Sequence, residues 1–480
     1  MGVSFNAAAL LNGNGIDVPT VVAAVLTPAT AQIPIWQNEQ TDLATQAGLL
    51  AGLNNNLGTL AAAVVALANP TGPLASQTAT SSDTSILTAS ASTTAAPSTH
   101  QIVVSRLATS GAVYTNSVTD GNTSFLVSPA TTGDIQLQVG GASGTTHDIV
   151  ITQGSNDTPS TLASYITAQK WGVTASVVTD ANGARLALYS QTSGTQGALA
   201  ITNNTTGLVF NDPTGGTNAS LTIDGVPFSS ATNTIANAIS GDTLSLATAD
   251  AATSVQLTVG PNATQATAAI NTFVSAYNAV IGVLNTQFTV DPTTNTEGPL
   301  AGDSALRSLQ TSLLNDATYS LTGNSGLVNL ASLGIDLNND GTLTVNQTAT
   351  DTHPSLANVL AANPGAVQSF FQNTSGTGFA SNFNNDLSNL TDPTNGIVTV
   401  DLAGNTAQQT ALTTQITNLQ DRLNAEKATL TLQFDQVNAN LEAYPSLLLE
   451  VTSEIGALNG NYNVSNTTPN TTPTTGTSTG

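Results

Sequence analysis

The chain has 480 residues, with 29 acidic against 6 basic side chains, a net charge of −23 and only 7% charged residues. It contains no cysteine, which excludes disulfides and thiolate metal sites. The six basic residues are scattered, so nucleic acid is not an expected partner, because phosphate binding needs clustered Lys and Arg. The length suits about three domains.

The first predicted element begins in "GNGIDVPTVVAAVL", residues 13–26. Asp17 is the predicted N-cap of a helix, because its carboxylate can accept hydrogen bonds from the free backbone N–H groups, and Pro19 is tolerated in the first turn. No cleaved signal peptide is predicted, since no Lys or Arg occurs in the first 100 residues. Membrane insertion is not predicted either, because prolines at positions 28 and 34 interrupt the stretch before the roughly 20 apolar residues that a span requires.

A helical seam is predicted between Pro34 and Pro70. Its members recur with a 4-3 spacing, which is typical of the a and d positions of a coiled coil. This N-terminal seam comprises Leu43, Ala47, Leu50, Asn54, Leu57, Ala61, Val64 and Ala68. Three leucines widen the apolar stripe on one flank, at positions 53, 60 and 67.

The central part of the chain is predicted to be rich in β-strands. Short alternating or β-branched runs bounded by Gly, Asn, Asp and Thr indicate strands. These runs are "TSILTAS", "HQIVVSRLA", "DIQLQVGG", "HDIVITQG", "GVTASVV", "ARLALYS", "SLTIDGVPF", "DTLSLAT" and "VQLTVG". One helix interrupts them in "TPSTLASYITAQK", with Thr158 or Ser160 as its predicted cap.

Helices are predicted again after residue 260. They lie in "ATQATAAINTFVSAYNAVIGVLNTQF" and in "GDSALRSLQTSLLND", where Asp303 is the expected N-cap. A hairpin follows in "LASLGIDLNNDGTLTV", because Asn-Asp-Gly between alternating apolar residues favours a tight turn.

A second seam is predicted near the C-terminus, with a four-residue stutter through Lys427. This C-terminal seam comprises Leu412, Ile416, Leu419, Leu423, Leu430, Phe434, Val437, Leu441, Tyr444, Leu448, Val451, Ile455 and Leu458. Pro445 is expected to kink or break the helix. Residues 461–480 have low complexity and are expected to be disordered. Both seams need helical partners, either each other or neighbouring copies.

The order of elements predicts an α+β multidomain fold, in which both chain ends form a helical coiled-coil leg that carries an inserted β-rich head of two small domains. The expected ranges of the helical parts are 1–40 for an N-terminal export and docking segment, 41–80 and 259–440 for the helical leg domain with its hairpin, and 441–460 for a C-terminal helix. The expected ranges of the β-rich parts are 81–112 and 216–258 for the β head domain and 113–215 for the outer β head domain with one helix. Residues 461–480 form the tail.

No catalytic, cofactor or metal site is predicted. Asp336, Asn338, Asp340 and Gly341 match positions one, three, five and six of a calcium loop, but Gln347 stands where a bidentate Glu is required and no helix precedes the string. The three histidines are far apart in sequence. Nucleophile elbows, P-loops and dinucleotide-binding glycine patterns are absent. A non-enzymatic protein is therefore expected.

The motifs together resemble the family of flagellar filament cap proteins (FliD, or flagellar hook-associated protein 2). The matching stretches are "GNGIDVPTVVAAVL", residues 80–108, "VTASVVTDANGARLALYSQTSGTQGALAI", "LTIDGVPFSSATNTIANAISGDTLSL", "FVSAYNAVIGVLN", "GPLAGDSALRSLQ", "LASLGIDLNNDGTL" and "NLQDRL". They follow the family's order over nearly the whole chain. In this resemblance, Gly13, Gly15, Ile16 and Asp17 belong to the N-terminal motif.

The resemblance implies a secreted, extracellular protein at the tip of the bacterial flagellum that retains exported flagellin and promotes its folding and polymerisation. It also implies a homo-oligomeric ring, with five copies the commonest arrangement, and contacts with flagellin, a hook–filament junction protein and a cytoplasmic export chaperone. Two alternatives stay open: another axial or junction protein, and a surface adhesin whose β head binds host glycans.

The seam residues are the candidate assembly site. Leu412, Ile416, Leu419 and Leu423 are expected to pack with Leu50, Leu57 and Val64. Phe434, Val437 and Leu441 are expected to engage neighbouring copies or the filament, because residues 1–35 and 431–458 are broken by prolines and look unable to cover each other.

Overall fold

The computed structural model describes residues 16–211, 214–293, 295–350, 353–372 and 377–458. They divide into two compact units. The first unit contains the described residues within Met1–Asn54, Gln287–Ala305 and Pro393–Gly480, and the second contains those within Asn55–Thr286 and Leu306–Asp392. Residues 55–286 and 306–392 are thus inserted, in sequence, between segments of the first unit.

The helices are α1 (Val18–Thr30), α2 (Gln32–Ala68), α3 (Pro159–Ala168), α4 (Ala263–Phe288), α5 (Ser304–Ala317), α6 (Leu356–Ala362), α7 (Pro364–Gln372), α8 (Phe379–Leu390) and α9 (Ile397–Leu458). The strands are β1 (Gln77–Ser81), β2 (Leu87–Ala91), β3 (Ser98–Arg106), β4 (Ser110–Tyr114), β5 (Thr132–Val139), β6 (Thr145–Thr152), β7 (Val173–Asp180), β8 (Gly183–Ser193), β9 (Leu199–Asn204), β10 (Ala219–Ile223), β11 (Val226–Ser230), β12 (Thr234–Ala236), β13 (Asp242–Leu246), β14 (Asp250–Pro261), β15 (Ile335–Leu337) and β16 (Leu343–Val345). The α+β multidomain class predicted from the sequence is confirmed.

Two pairs of antiparallel sheets build the β-rich part of the second unit. The sheets β1-β14-β3-β10-β11 and β12-β13-β2 share one core, in which Ile102, Leu244 and Leu257 are fully buried. The sheets β4-β8-β7 and β6-β5-β9 share another core with α3. All predicted strands form, because each presents one apolar face to a core. The expected division of the β head into two domains stays a proposal.

Local capping predictions hold where the structure describes them. Thr158 caps α3 in a capping box with Thr161, and the Asp303 carboxylate accepts a hydrogen bond from the Ala305 N–H at 2.8 Å. The string Asp336–Gly341 runs from β15 into the turn that leads to β16, and the Asn338 N–H donates to the Thr342 carbonyl at 2.8 Å. Within the described ranges no group of three or more His, Cys, Asp or Glu could hold a metal ion.

The prolines interrupt the helices less than expected. α1 and α2 are separated by Ala31 alone. Pro34 lies in the first turn of α2, where backbone N–H groups have no intrahelical acceptor, so that proline costs the helix no hydrogen bond. α9 continues through Pro445 to Leu458, so the predicted break is wrong. The proposed domain boundaries at residues 40 and 440 both fall inside continuous helices.

The sequence reasoning missed α6, α7 and α8. α7 and α8 complete an aromatic core in the second unit, where Phe370, Phe379 and Phe383 join Phe273 and Tyr277 of α4 at centroid distances of 5.4 to 6.3 Å. Such pairs stabilise a core beyond their buried area. α2 and α4 are long and apolar enough to cross a membrane by length and composition, but both bury apolar side chains within the protein.

Two carboxyl groups, the half-buried Asp316 and the exposed Asp386, lie beside this aromatic core. Burial raises the pKa of Asp316 to about 8, and a hydrogen bond between its carboxyl group and that of Asp386, together with the negative charge of Asp386, adds to the shift. Burial likewise raises the pKa of Tyr277, with the charge of Asp316 as the smaller cause. One carboxylate oxygen of Asp316 lacks a hydrogen-bond partner among the described residues. Ionisation of Asp316 therefore destabilises the fold.

This arrangement predicts a pH-dependent stability that Asp316→Asn flattens. The folded pKa of about 8 lies above the ordinary value of 3.8, so the folded chain binds an extra proton between them. The free energy of unfolding then falls as the pH rises from about 4 to about 8. Calorimetry should show a higher Tm for the variant above about pH 8 and a shallower decline below it. Asp148→Asn, at an exposed position of β6, is the control; identical profiles for the wild type and Asp316→Asn would contradict the prediction.

Candidate assembly interface

α1 and α9 bring the two ends of the chain together in the first unit. Val18, Val22 and Leu26 of α1 form one apolar cluster with Leu419 and Leu423 of α9, and all five side chains are buried. Partly buried side chains extend the cluster at Ala29, Ile33, Trp36, Leu430 and Phe434. The partner of Leu419 and Leu423 in this cluster is therefore α1, a segment expected to stay uncovered.

The start of α1 is set by its cap. The Asp17 carboxylate accepts hydrogen bonds from the Thr20 hydroxyl at 2.7 Å and from the Thr20 N–H at 3.4 Å, and Pro19 lies in the first turn. Both features are those predicted from the sequence. A carboxylate at a helix N-terminus also offsets the positive end of the helix dipole. Gly13 and Gly15 of the N-terminal motif lie outside the described residues.

Asn438 ties the residue before this cap to α9. Its side-chain oxygen accepts a hydrogen bond from the Ile16 N–H at 2.7 Å, and its amide donates to the Ile16 carbonyl at 3.3 Å. Because the Asn438 amide pairs with both the backbone N–H and the backbone carbonyl of Ile16, it fixes the axial alignment of α9 and the segment that leads into α1. Sequence reasoning missed Asn438, although an asparagine next to Val437 in an apolar seam is a recognisable register signal.

The N-terminal seam is real but differs in phase from the prediction. Leu43, Leu50, Leu57 and Val64 are buried, and so are the flanking leucines at 53, 60 and 67. Ala47, Asn54, Ala61 and Ala68 are only partly buried. The buried positions of α2 are thus 43, 50, 53, 57, 60, 63, 64 and 67, and most of them are leucines because leucine fills the core better than alanine or asparagine.

The first part of α2 lies beside the first part of α9. The Gln40 side-chain amide donates to the Thr413 hydroxyl at 2.5 Å. Leu43 and Leu50 line a cavity of about 360 Å³ together with Val400 and Asn405. Burial raises the pKa of Asp401 in this cavity, and the charge of Asp303 contributes. Leu412 and Ile416 are buried, while Leu57 and Val64 belong to the second unit; packing of Leu412 and Ile416 with Leu50, Leu57 and Val64 stays a prediction.

The C-terminal seam loses its cover after Phe434. Val437 is 44% exposed and Leu441 is 42% exposed. The seam continues with a 4-3 spacing through Tyr444, Leu448, Val451 and Ile455, which are all exposed. We call these six residues, Val437 to Ile455, the distal seam. A continuous exposed apolar stripe of this kind marks an interaction surface.

Comparisons with known proteins point to one family. The family model described as Flagellar hook-associated protein 2 N-terminus matches residues 14–111, and the one described as Flagellar hook-associated protein 2 C-terminus matches residues 216–444. The B-type flagellar hook-associated protein 2 of Pseudomonas aeruginosa is 28% identical over 415 residues, covering 80% of this chain and 83% of the relative. The A-type protein of that organism is 27% identical over 380 residues, covering 71% and 77%.

A solved structure shares the fold. The D1-D2-D3 domains of the flagellar cap protein FliD from Escherichia coli match with a TM-score of 0.57 at 23% identity, covering 75% of this chain and 99% of that one. At this identity the likeness concerns the arrangement of helices and sheets.

Leu419→Asp should release α1 from α9, because it places an unpaired charge in the buried cluster. We expect the opening free energy of the α1 amides, measured by hydrogen exchange, to fall by about 3 kcal/mol. Leu432→Asp is the matched control, since Leu432 lies on the same helix and is 71% exposed. Unchanged protection of α1 in Leu419→Asp would refute this packing.

Asn438→Leu should loosen the register without removing apolar cover. Two hydrogen bonds to Ile16 are lost, which costs about 1–2 kcal/mol in the local stability of the helix start. Exchange of the Ile16 amide should accelerate accordingly in NMR spectra. Asn440→Leu, at an exposed position two residues away, should leave that amide unchanged; equal effects of both variants would count against the Asn438 contact.

Proposed function

The chain belongs to the flagellar hook-associated protein 2 family, whose members are structural proteins of the flagellar filament cap and not enzymes, and from this premise we propose that it caps the distal end of the filament. In this role it retains exported flagellin and promotes its folding and polymerisation. The single observation that carries the proposal is the distal seam, a helical stripe that no described residue of the chain covers.

The geometry of the seam defines the kind of partner. Residues at 4-3 spacing pack as knobs into holes of a facing helix, so the complementary surface is another helix with a similar apolar stripe. Neighbouring copies of this chain and the helical ends of flagellin are the partners that we propose. A closed ring of copies would cover such stripes symmetrically; five copies is the arrangement that we favour.

The polar character of the chain suits this task. Only 7% of its residues are charged, so helix pairing depends on shape and on amide contacts such as the one made by Asn438. The absence of cysteine and the short pairing of α1 with α9 suit passage of an unfolded chain through a narrow export channel. Contacts with a junction protein and an export chaperone belong to the same proposal.

The double variant Val437→Asp/Leu441→Asp should abolish assembly while leaving the folded monomer intact. Both side chains are exposed in the isolated chain, so the charges cost little until a partner helix must bury them. We expect a Tm within about 2 °C of the wild type. A strain that carries only this variant should secrete unpolymerised flagellin and lose motility.

Leu449→Asp is the matched control, because Leu449 lies on the same helix, is 72% exposed and stands outside the 4-3 spacing. It should support normal filaments. Electron microscopy of the purified proteins gives the second measurement, with rings for the wild type and the control and none for the double variant. Normal filaments in the double variant would overturn the role of the distal seam.

A further inference from the structure

A cavity of about 370 Å³ opens at one end of the domain built by the β3 and β13 sheets. Ile223, Phe228, Ala238 and Ile239 form its apolar walls, and His100 and Asp224 supply its polar groups. Val226 also lines the cavity and is 64% exposed. The cavity therefore combines an apolar wall, an aromatic ring and an acidic group, and its exposed rim is itself apolar.

The acidic group of the cavity is fixed in its charged form. His100 Nδ1 lies 2.7 Å from one Asp224 carboxylate oxygen, and the Gln101 N–H donates to the other at 2.9 Å. These two hydrogen bonds hold the pKa of Asp224 below its usual value. Asp224 and Gly225 form the tight turn between β10 and β11, both with positive φ. The carboxylate is thus presented on a rigid turn.

A second carboxyl group lies close to the cavity and has no partner. Asp242 follows the lining residues Ala238 to Ser240 and is only 1% exposed. Neither of its carboxylate oxygens has a hydrogen-bond partner among the described residues. Burial raises its pKa, and the electrostatic interaction with His100 opposes the shift. Asp242 alternates with the inward-facing Leu244 and Leu246 on β13, so it shares the interior with His100 of β3.

We propose that this cavity binds the ammonium or guanidinium group of a Lys or Arg side chain that a partner polypeptide presents. The aliphatic stem would lie along the apolar wall, as long cationic side chains do on apolar surfaces. The charge would face Asp224, with Phe228 contributing a cation–π contact and Asp242 adding negative potential from the interior. This site is independent of the distal seam.

Two observations favour a polypeptide over a free amine. Val226 lines the cavity and is 64% exposed, and exposed apolar surface beside a pocket is typical of protein contacts. The chain carries a net charge of −23, and no Lys or Arg lines the cavity. A basic partner would therefore be attracted over a distance and then held by the carboxylate.

The test uses the full chain with labelled isoleucine methyl groups, because Ile223 and Ile239 report on the cavity by NMR. The probe is the end-blocked peptide Gly-Gly-Lys-Gly-Gly, and its neutral counterpart carries norleucine in place of lysine. We expect saturable shifts at both isoleucines with the lysine peptide alone. Asp224→Asn should raise Kd about tenfold, the usual worth of a charged hydrogen bond.

Two further variants test the proposal even if the Asp224→Asn variant fails to fold. Phe228→Leu retains apolar volume and should raise Kd a few-fold, while Asp148→Asn removes a distant exposed charge and should leave Kd unchanged. The proposal is overturned if the norleucine peptide binds equally, if Asp224→Asn binds as tightly as the wild type, or if no shift saturates. Butylammonium binding as tight as that of the lysine peptide would overturn the assignment to a polypeptide partner.

Discussion

The contact between α1 and α9 is the interaction on which the first unit depends. It joins residues from opposite ends of the chain through Val18, Val22, Leu26, Leu419 and Leu423. Burial of each such side chain contributes about 1.5–3 kcal/mol, against the entropy of closing a loop of nearly the whole polypeptide. The rest of the chain is thereby an insertion between two helical ends, and Asn438 sets the register in which those ends meet.

The lengths of the paired helices explain why assembly follows from this contact. α1 has 13 residues and α9 has 62, which correspond to about 20 Å and about 90 Å of helix. α1 therefore covers only part of the apolar side of α9, even with the first part of α2 beside it. The remaining stripe is the distal seam, which is exposed among the described residues and whose 4-3 spacing matches a facing helix. Incomplete pairing within one chain is thus the physical basis for pairing between chains.

The sequence predicted local structure correctly where a short residue pattern is compatible with only one type of element. The strands, the cap at Asp17, the hairpin at Asp336–Gly341 and the burial of Leu412 to Leu423 followed from spacing and turn chemistry. The helix that packs against each seam could not be predicted, because a 4-3 pattern indicates that a helix face is buried but does not indicate which helix covers it. α6 and α7 were missed because 7 and 9 residues are too few to show a clear period, whereas Phe379, Phe383 and Leu387 of α8 recur every four residues, a helical signal that could have been found. The cavity near Asp242 arises from residues far apart in sequence.

The most direct test of incomplete pairing uses the natural absence of cysteine. Leu441→Cys and Leu449→Cys each place a single thiol on α9, on and off the distal seam. The account predicts that both thiols react with a maleimide in the monomer, and that only the thiol at position 441 becomes protected in the assembled cap. Equal reactivity of the two thiols after assembly would contradict the claim that the distal seam is the surface that neighbouring helices bury.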